Sequence, residues 1–259
     1  MCSRPRSATT TGTCGTGWRI GNVRYNARVT PEGDLATLLA AHRDRFRRVV
    51  PFDLTSGEVA VLDFTEGSDD LEGLRPGDTE AFTARVFERL AEAGVPVGVG
   101  RWGEDRVVYR HSALFDGEAE RRSVHLGIDL FVVRGTEVMA PLHGIVHSVA
   151  DNARVGDYGP TVILEHELDG AAFWSLYGHL GRDSVLHLEI GAEVAPGQPF
   201  AEVGGSHENG GWPPHLHFQL IADIGNRIGD FPGVATPSQR ERWLRLCPDP
   251  NLVLGIPGL

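Results

Sequence analysis

Pro213-Pro214-His215-Leu216-His217-Phe218-Gln219-Leu220-Ile221 is a short apolar and aromatic run headed by two prolines and without helical periodicity. Read as a strand, it alternates its side chains between two faces, so His215 and His217 point to one side and Leu216 and Phe218 to the other. Two imidazoles then share a small volume. Catalytic zinc sites need this kind of cluster, because they commonly take three nitrogen or oxygen ligands at about 2.0–2.2 Å and keep a further position for water. The paired prolines stiffen the approach to the strand, which suits a site of fixed geometry.

Around this run, from about residue 123 to residue 227, short β-branched stretches (FVV, GIVHSV, TVILEH) alternate with turns rich in Gly, Pro and Asp, which predicts an all-β half. The upstream part reads differently. After Gly33-Asp34, Leu35, Leu38, Leu39, His42 and Phe46 recur at helical spacing; residues 58–64 (EVAVLDF) read as a strand; and Asp78-Thr79 opens a second helix carrying Phe82, Val86, Phe87 and Leu90 up to Gly94. Residues 95–100 (VPVGVG) and 106–109 (RVVY) read as a strand pair. Downstream, Thr236-Pro237-Ser238-Gln239 is a helix start leading into ERWLRL, which should pack through Trp243, Leu244 and Leu246. The expected division is a disordered leader over 1–17, an N-terminal α/β accessory segment over 18–120, a β-sheet core over 121–235 and a C-terminal helix and tail over 236–259. The expected class is α+β, with a mainly-β antiparallel core.

Composition narrows the chemistry. The 259 residues carry 35 acidic and 24 basic side chains, a net charge of -11 that makes nucleic acid and anionic lipid poor partners. Every basic residue is Arg, so Schiff-base catalysis and Walker-type nucleotide sites are excluded. Cys2, Cys14 and Cys247 form no CxxC pair, which fits a reducing compartment. The N-terminal stretch lacks the apolar run of a signal peptide and no stretch approaches a membrane span, so the chain as written is expected in the cytoplasm, with export expected only from a different start.

Two further stretches bear on the His215–His217 cluster: His125-Leu-Gly-Ile-Asp129 and Tyr177-Gly-His179. His125 and Asp129 would lie about 13 Å apart on a straight strand, and Gly127 between them permits the bend that brings them together. HLGID, GTEVMAPLHGIVHSV, DYGPTVILEH, YGHL, GAEVAPGQ and PHLHF follow one another in order over residues 123–221. In this order they resemble the lysostaphin-type zinc metallopeptidases (metallopeptidase family 23), which cut peptide cross-links of bacterial peptidoglycan.

The resemblance implies a duplicated-hybrid-motif sheet core, one zinc ion held by His125, Asp129 and His217, and catalytic roles for His179 and His215. The implied substrate is a peptide or peptidoglycan fragment containing Gly or D-amino acids. Two alternatives stand beside it: an intracellular hydrolase of a non-wall peptide or amide, and a non-catalytic, zinc-containing binding module. The chain departs from the family pattern in a longer GGSHENGGWPP loop, where Trp212 and Glu208 are expected to remodel the groove wall, and in Gln219, where an acidic residue often follows HLHF. The N-terminal segment and the tail resemble a subgroup found alongside a class III aminotransferase module, which implies a functional link to such a module.

The remaining histidines read as ordinary. His143 and His147 have the i, i+4 spacing of zinc helices, but no Glu follows His143, and Pro141 and Gly144 argue for a surface strand. His166 reads equally as a support of the site or as plain structure. His42 belongs to a core-facing helix, and Arg121-Arg122 read as a solvated pair.

Overall fold

The computed structural model describes residues 28–29, 34–117 and 120–259. The leader expected over 1–17 lies outside the described residues. The strands, in chain order, are β1 (Arg28–Val29), β2 (Val59–Leu62), β3 (Val97–Gly100), β4 (Val124–His125), β5 (Ile128–Phe131), β6 (Glu137–Met139), β7 (Gly144–Asn152), β8 (Gly159–Leu168), β9 (Ala171–Gly178), β10 (Glu193–Val194), β11 (Pro199–Glu202), β12 (His215–Ile221) and β13 (Val234–Ala235). The helices are α1 (Asp34–Ala41), α2 (Thr79–Ala93), α3 (Arg182–Val185), α4 (Arg240–Leu246) and α5 (Asn251–Leu254).

One large sheet runs β10-β7-β8-β9-β12-β5-β3-β2, with β1 also on β9. Its central pairings are antiparallel, while β2 on β3 and β1 on β9 are parallel. The result is the expected α+β class with a mostly-β core. β12 is buried along its whole length. Leu216, Phe218 and Leu220 enter the main apolar core, which leaves His215, His217 and Gln219 on the opposite face.

The accessory elements do not form a sheet of their own. β3 pairs on one side with β2 and on the other with β5, in the register Gly98↔Phe131, Val99↔Leu130 and Gly100↔Asp129, so they extend the sheet that carries the site. α2 forms as the sequence predicts: Asp78 Oδ1 accepts from the Ala81 N–H at 3.0 Å, and Gly94 closes the helix at φ +68. Its buried Val86 and Leu90 pack on Leu62, Phe64 and Phe131, which clamps β2 and β3 onto β5.

Three local expectations need correction. Residues 106–109 are not a strand: Asp105 makes one bridge to Val124, and the chain then turns into a 3-10 helix over Val108–His111. The turn places Arg106 and Tyr109 on one side, where Arg106 Nη1 donates to Tyr109 Oη at 3.2 Å, and this buried contact overrides the β propensity of the valines. The first helix does face the core, through Leu35 and Leu39, but it ends at Ala41, and His42 just beyond it pairs with Asp169 at 2.9 Å. At the C-terminus a 3-10 turn, Pro237–Gln239, precedes α4, with the Thr236 hydroxyl on Ser238 instead of on a helix N–H. Trp243, Leu244 and Leu246 do pack against the core.

Candidate metal centre

β12 and β5 lie side by side with His217 opposite Asp129, while β9 flanks β12 with Gly178 opposite His217. A bend at residue 127 separates β4 from β5 and sends β4 to pair with β13. The bend shortens the path, so His125 Nε2 lies 3.2 Å from Asp129 Oδ1. Gly127 has a second role: a Cβ there would lie 2.6 Å from His217 Cε1, so the glycine makes room for that ring. The three side chains converge, with His125 Nε2 3.0 Å from His217 Nδ1 and His217 Nδ1 2.9 Å from Asp129 Oδ1.

Hydrogen bonds outside this triangle set its protons. His125 Nδ1 donates to Arg101 O at 2.9 Å, and His217 Nε2 donates to Gln219 Oε1 at 2.9 Å. Each ring therefore turns a lone pair inward, toward a carboxylate oxygen that is itself only an acceptor. Three acceptors about 3 Å apart, with no proton assigned between them, fit a cation: tetrahedral donors at 2.0–2.1 Å from an ion are roughly 3.3 Å from one another. Two imidazoles and a carboxylate are a donor set that suits zinc.

His179 and His215 stand beside this triangle, with ring centroids 4.1 Å apart. His215 Nδ1 donates to Pro213 O at 2.7 Å, and His179 Nδ1 donates to Asn209 O at 2.8 Å, so both Nε2 atoms are acceptors. His215 Nε2 is 3.8 Å from Asp129 Oδ1. His179 holds φ +63, a left-handed conformation uncommon for a side chain of this size. Its N–H to Tyr158 O and the Gly204 N–H to its carbonyl keep it there.

Burial makes these groups electrostatically unusual. It pushes His125 down to about 3, helped by the nearby Arg106 cation. Burial and the neighbouring His215 and His217 put His179 well below the ordinary imidazole value, and burial lowers His215 too. Burial alone would raise Asp129, but His125, Arg106 and His215 outweigh it and hold the carboxyl well below its usual range.

Several supporting residues were not singled out from the sequence as site residues. Arg106 donates through Nη1 to Asp129 Oδ2 at 2.5 Å and through Nε to Glu104 Oε2 at 2.8 Å. Gln219, noted only as a departure, turns its amide nitrogen to Pro232 O and Cys247 Sγ, which leaves its oxygen for His217. The acceptors for His125, His179 and His215 are backbone carbonyls, which carry no residue-type signal. For Arg106 and Gln219, the readable clue was a charged or polar residue inside an otherwise apolar run.

Other expectations resolve individually. Trp212 lines a cavity of about 290 Å³ that reaches Asp129, His179, His215 and His217, whereas Glu208 instead holds its loop by accepting from the Arg182 and Gly205 N–H groups. Arg122 is no solvated residue, since its guanidinium lies over Phe115, 5.5 Å from the centroid, and lines the same cavity. His143 is exposed and His147 contacts Ser148, apart from the triangle. His166 is buried on Ser175 Oγ and the His143 carbonyl, a structural role within the sheet.

Residues 123–228 match the family described as Peptidase family M23. This segment is similar to M23 peptidase domains. A relative named as an uncharacterized metalloprotease of Haemophilus influenzae is 36% identical over 96 residues, covering 37% of this chain and 18% of its own length. The Escherichia coli murein hydrolase activator EnvC is 32% identical over 136 residues, covering 52% of this chain and 29% of its own length. The chain thus spans under a third of either relative. The catalytic domain of lysostaphin from Staphylococcus simulans, a solved structure, is 26% identical, covers 45% of this chain and 77% of its own, and superposes with a TM-score of 0.32. The matched segment contains His125, Asp129, His179, His215 and His217, and Arg106 lies outside it. Among the described residues, no helix is long and apolar enough to cross a membrane.

Proposed function

We propose that the protein is a zinc-dependent endopeptidase acting on peptides of the peptidoglycan type, containing Gly or D-amino acids, with His125, Asp129 and His217 as metal ligands. One observation carries this reading: the buried imidazoles of His125, His215 and His217 each commit one nitrogen to a carbonyl oxygen and bring the other within 4 Å of the Asp129 carboxylate, with the His179 ring beside His215. When bound, zinc supplies a Lewis acid that polarises the scissile carbonyl and acidifies water toward a pKa of about 7.

The chain's own residues provide the rest. His179 and His215, uncharged, lining the cavity and with acceptor lone pairs on Nε2, accept the proton of the attacking water and return it to the departing amine. Rings 4.1 Å apart do not both carry charge comfortably, so one proton serves the pair. The N–H groups held by Asn209 O and Pro213 O fix each ring's direction through both steps.

A narrower substrate is favoured by the cavity. Tyr109 and Phe115 of the accessory segment contact Trp212 and Val234, bridging the loop before β12 and the strand after it. The space of about 290 Å³ lies just below the roughly 300–1,000 Å³ typical of small-ligand sites, which favours a short peptide over a cross-linked polymer. Cleavage of short Gly and D-Ala peptides by the zinc-loaded protein, compared with cleavage of intact sacculi, tests both statements. Cleavage of neither class contradicts the function, and faster cleavage of sacculi contradicts the narrower substrate.

A further inference from the structure

Arg106 is 2% exposed and comes from the accessory segment, outside the segment that matches the M23 family, yet its guanidinium lies against the candidate ligand Asp129. The fold makes a place for it. Gly100 on β3 stands directly across from Asp129 on β5, and a Cβ on Gly100 would lie 2.5 Å from Arg106 Nη2 and 3.2 Å from Phe64 Cε2. The guanidinium occupies the space that this missing side chain leaves. It is anchored on every side: Nε on Glu104 Oε2 at 2.8 Å, Nη1 on Asp129 Oδ2 and Tyr109 Oη, and Nη2 on Arg101 O at 3.3 Å. Arg101 O is also the acceptor for His125 Nδ1, so one carbonyl ties Arg106 to a second candidate ligand.

Resting on the metal-site reading above, we propose that Arg106 is a positioning residue of the metal centre, supplied by the accessory segment: by engaging Asp129 Oδ2 it presents Oδ1 alone to His125 and His217. A bare cation next to a metal ion would repel it. Glu104, with its side chain only 3% exposed, cancels that charge, so the Glu104–Arg106 pair contributes direction without net charge. Residues 101–106 serve the centre as a unit, because their backbone also pairs with β4 through Gly103 N to His125 O, His125 N to Glu104 O and Arg106 N to Ser123 O.

Positioning and plain electrostatics give opposite signs. If Arg106 acted only through its charge, its removal would tighten Zn2+ binding; as a positioning residue, its loss weakens binding by about 10–100-fold. The test measures Zn2+ affinity by chelator competition, together with the visible spectrum of the Co2+-loaded full chain, for the unaltered protein, Arg106→Gln, Arg106→Lys and Gly100→Ala. Weakened affinity and an altered Co2+ spectrum are expected in all three, including Gly100→Ala, which changes no charge. Arg106→Lys keeps the charge but cannot span Glu104 and Asp129 together, so it carries the test if Arg106→Gln does not fold. Unchanged or tighter Zn2+ binding with an unchanged spectrum overturns the proposal. Failure of the unaltered protein to bind Zn2+ overturns the metal-site reading itself and the positioning role with it.

Discussion

His217 Nε2 and Gln219 Oε1, two residues apart on β12, are 2.9 Å from each other, and this bond decides which nitrogen of His217 faces Asp129. Along a strand, residues i and i+2 share a face, so the candidate ligand and the group that orients it are supplied by one element. Gln219→Leu removes the acceptor at nearly constant volume and releases the tautomer. Zn2+ affinity is expected to fall by about 10–100-fold, as for other groups that orient a metal ligand. Chelator competition measures the change, and an unchanged affinity contradicts this role.

Gly127→Ala probes the space beside the same ring. The new Cβ would lie 2.6 Å from His217 Cε1 and 2.8 Å from Phe218 O, and the backbone oxygen has little freedom to retreat. A loss of about 1–3 kcal/mol of stability is expected from the overpacking, with weakened Zn2+ binding. Urea unfolding with and without Zn2+ reads both effects.

The histidines predict how the metal-free protein responds to acid. Burial lowers His166 to about 4 and His125 to about 3, and lowers His179 and His215 as well, all from an ordinary value near 6.5. Below pH 6.5 the unfolded chain therefore binds protons that the folded chain refuses. Stability is full above that pH and is lost as the pH falls toward 4 and below, by about 1.4 kcal/mol per pH unit for each such proton. Asp129, held low in the fold, adds to the loss only below its unfolded value of about 3.8. Melting temperatures measured in chelator from pH 7.5 to 4.5 should fall steadily, and a flat profile between pH 7 and 5 contradicts these shifts.

The strand carrying His215 and His217 was legible because period-two alternation is local, and Gly127 made the approach of His125 to Asp129 legible for the same reason. Helix α2 announced itself through Asp78 and Gly94. What stayed hidden depends on distant pairing. Arg106 meets Asp129 only because β3 joins the sheet beside β5 and Gly100 leaves room there. The carbonyls of Arg101, Asn209 and Pro213 direct three imidazoles, yet every residue has a carbonyl, so sequence could not select them. Residues 106–109 favour a strand by composition, and a buried contact between Arg106 and Tyr109 accompanies a turn into the 3-10 helix over Val108–His111 instead.

The central claim is that His215 moves a proton in a metal-dependent hydrolysis. Its most direct test is mass spectrometry of muropeptides and short Gly peptides incubated with Zn2+-loaded protein, alongside His215→Ala carrying the same metal content. The expected result is new amine ends in the unaltered protein, reduced by about 10²–10⁴-fold in His215→Ala and absent after chelation. Equal cleavage by the two proteins, or no cleavage of any peptide with one equivalent of Zn2+ bound, contradicts it.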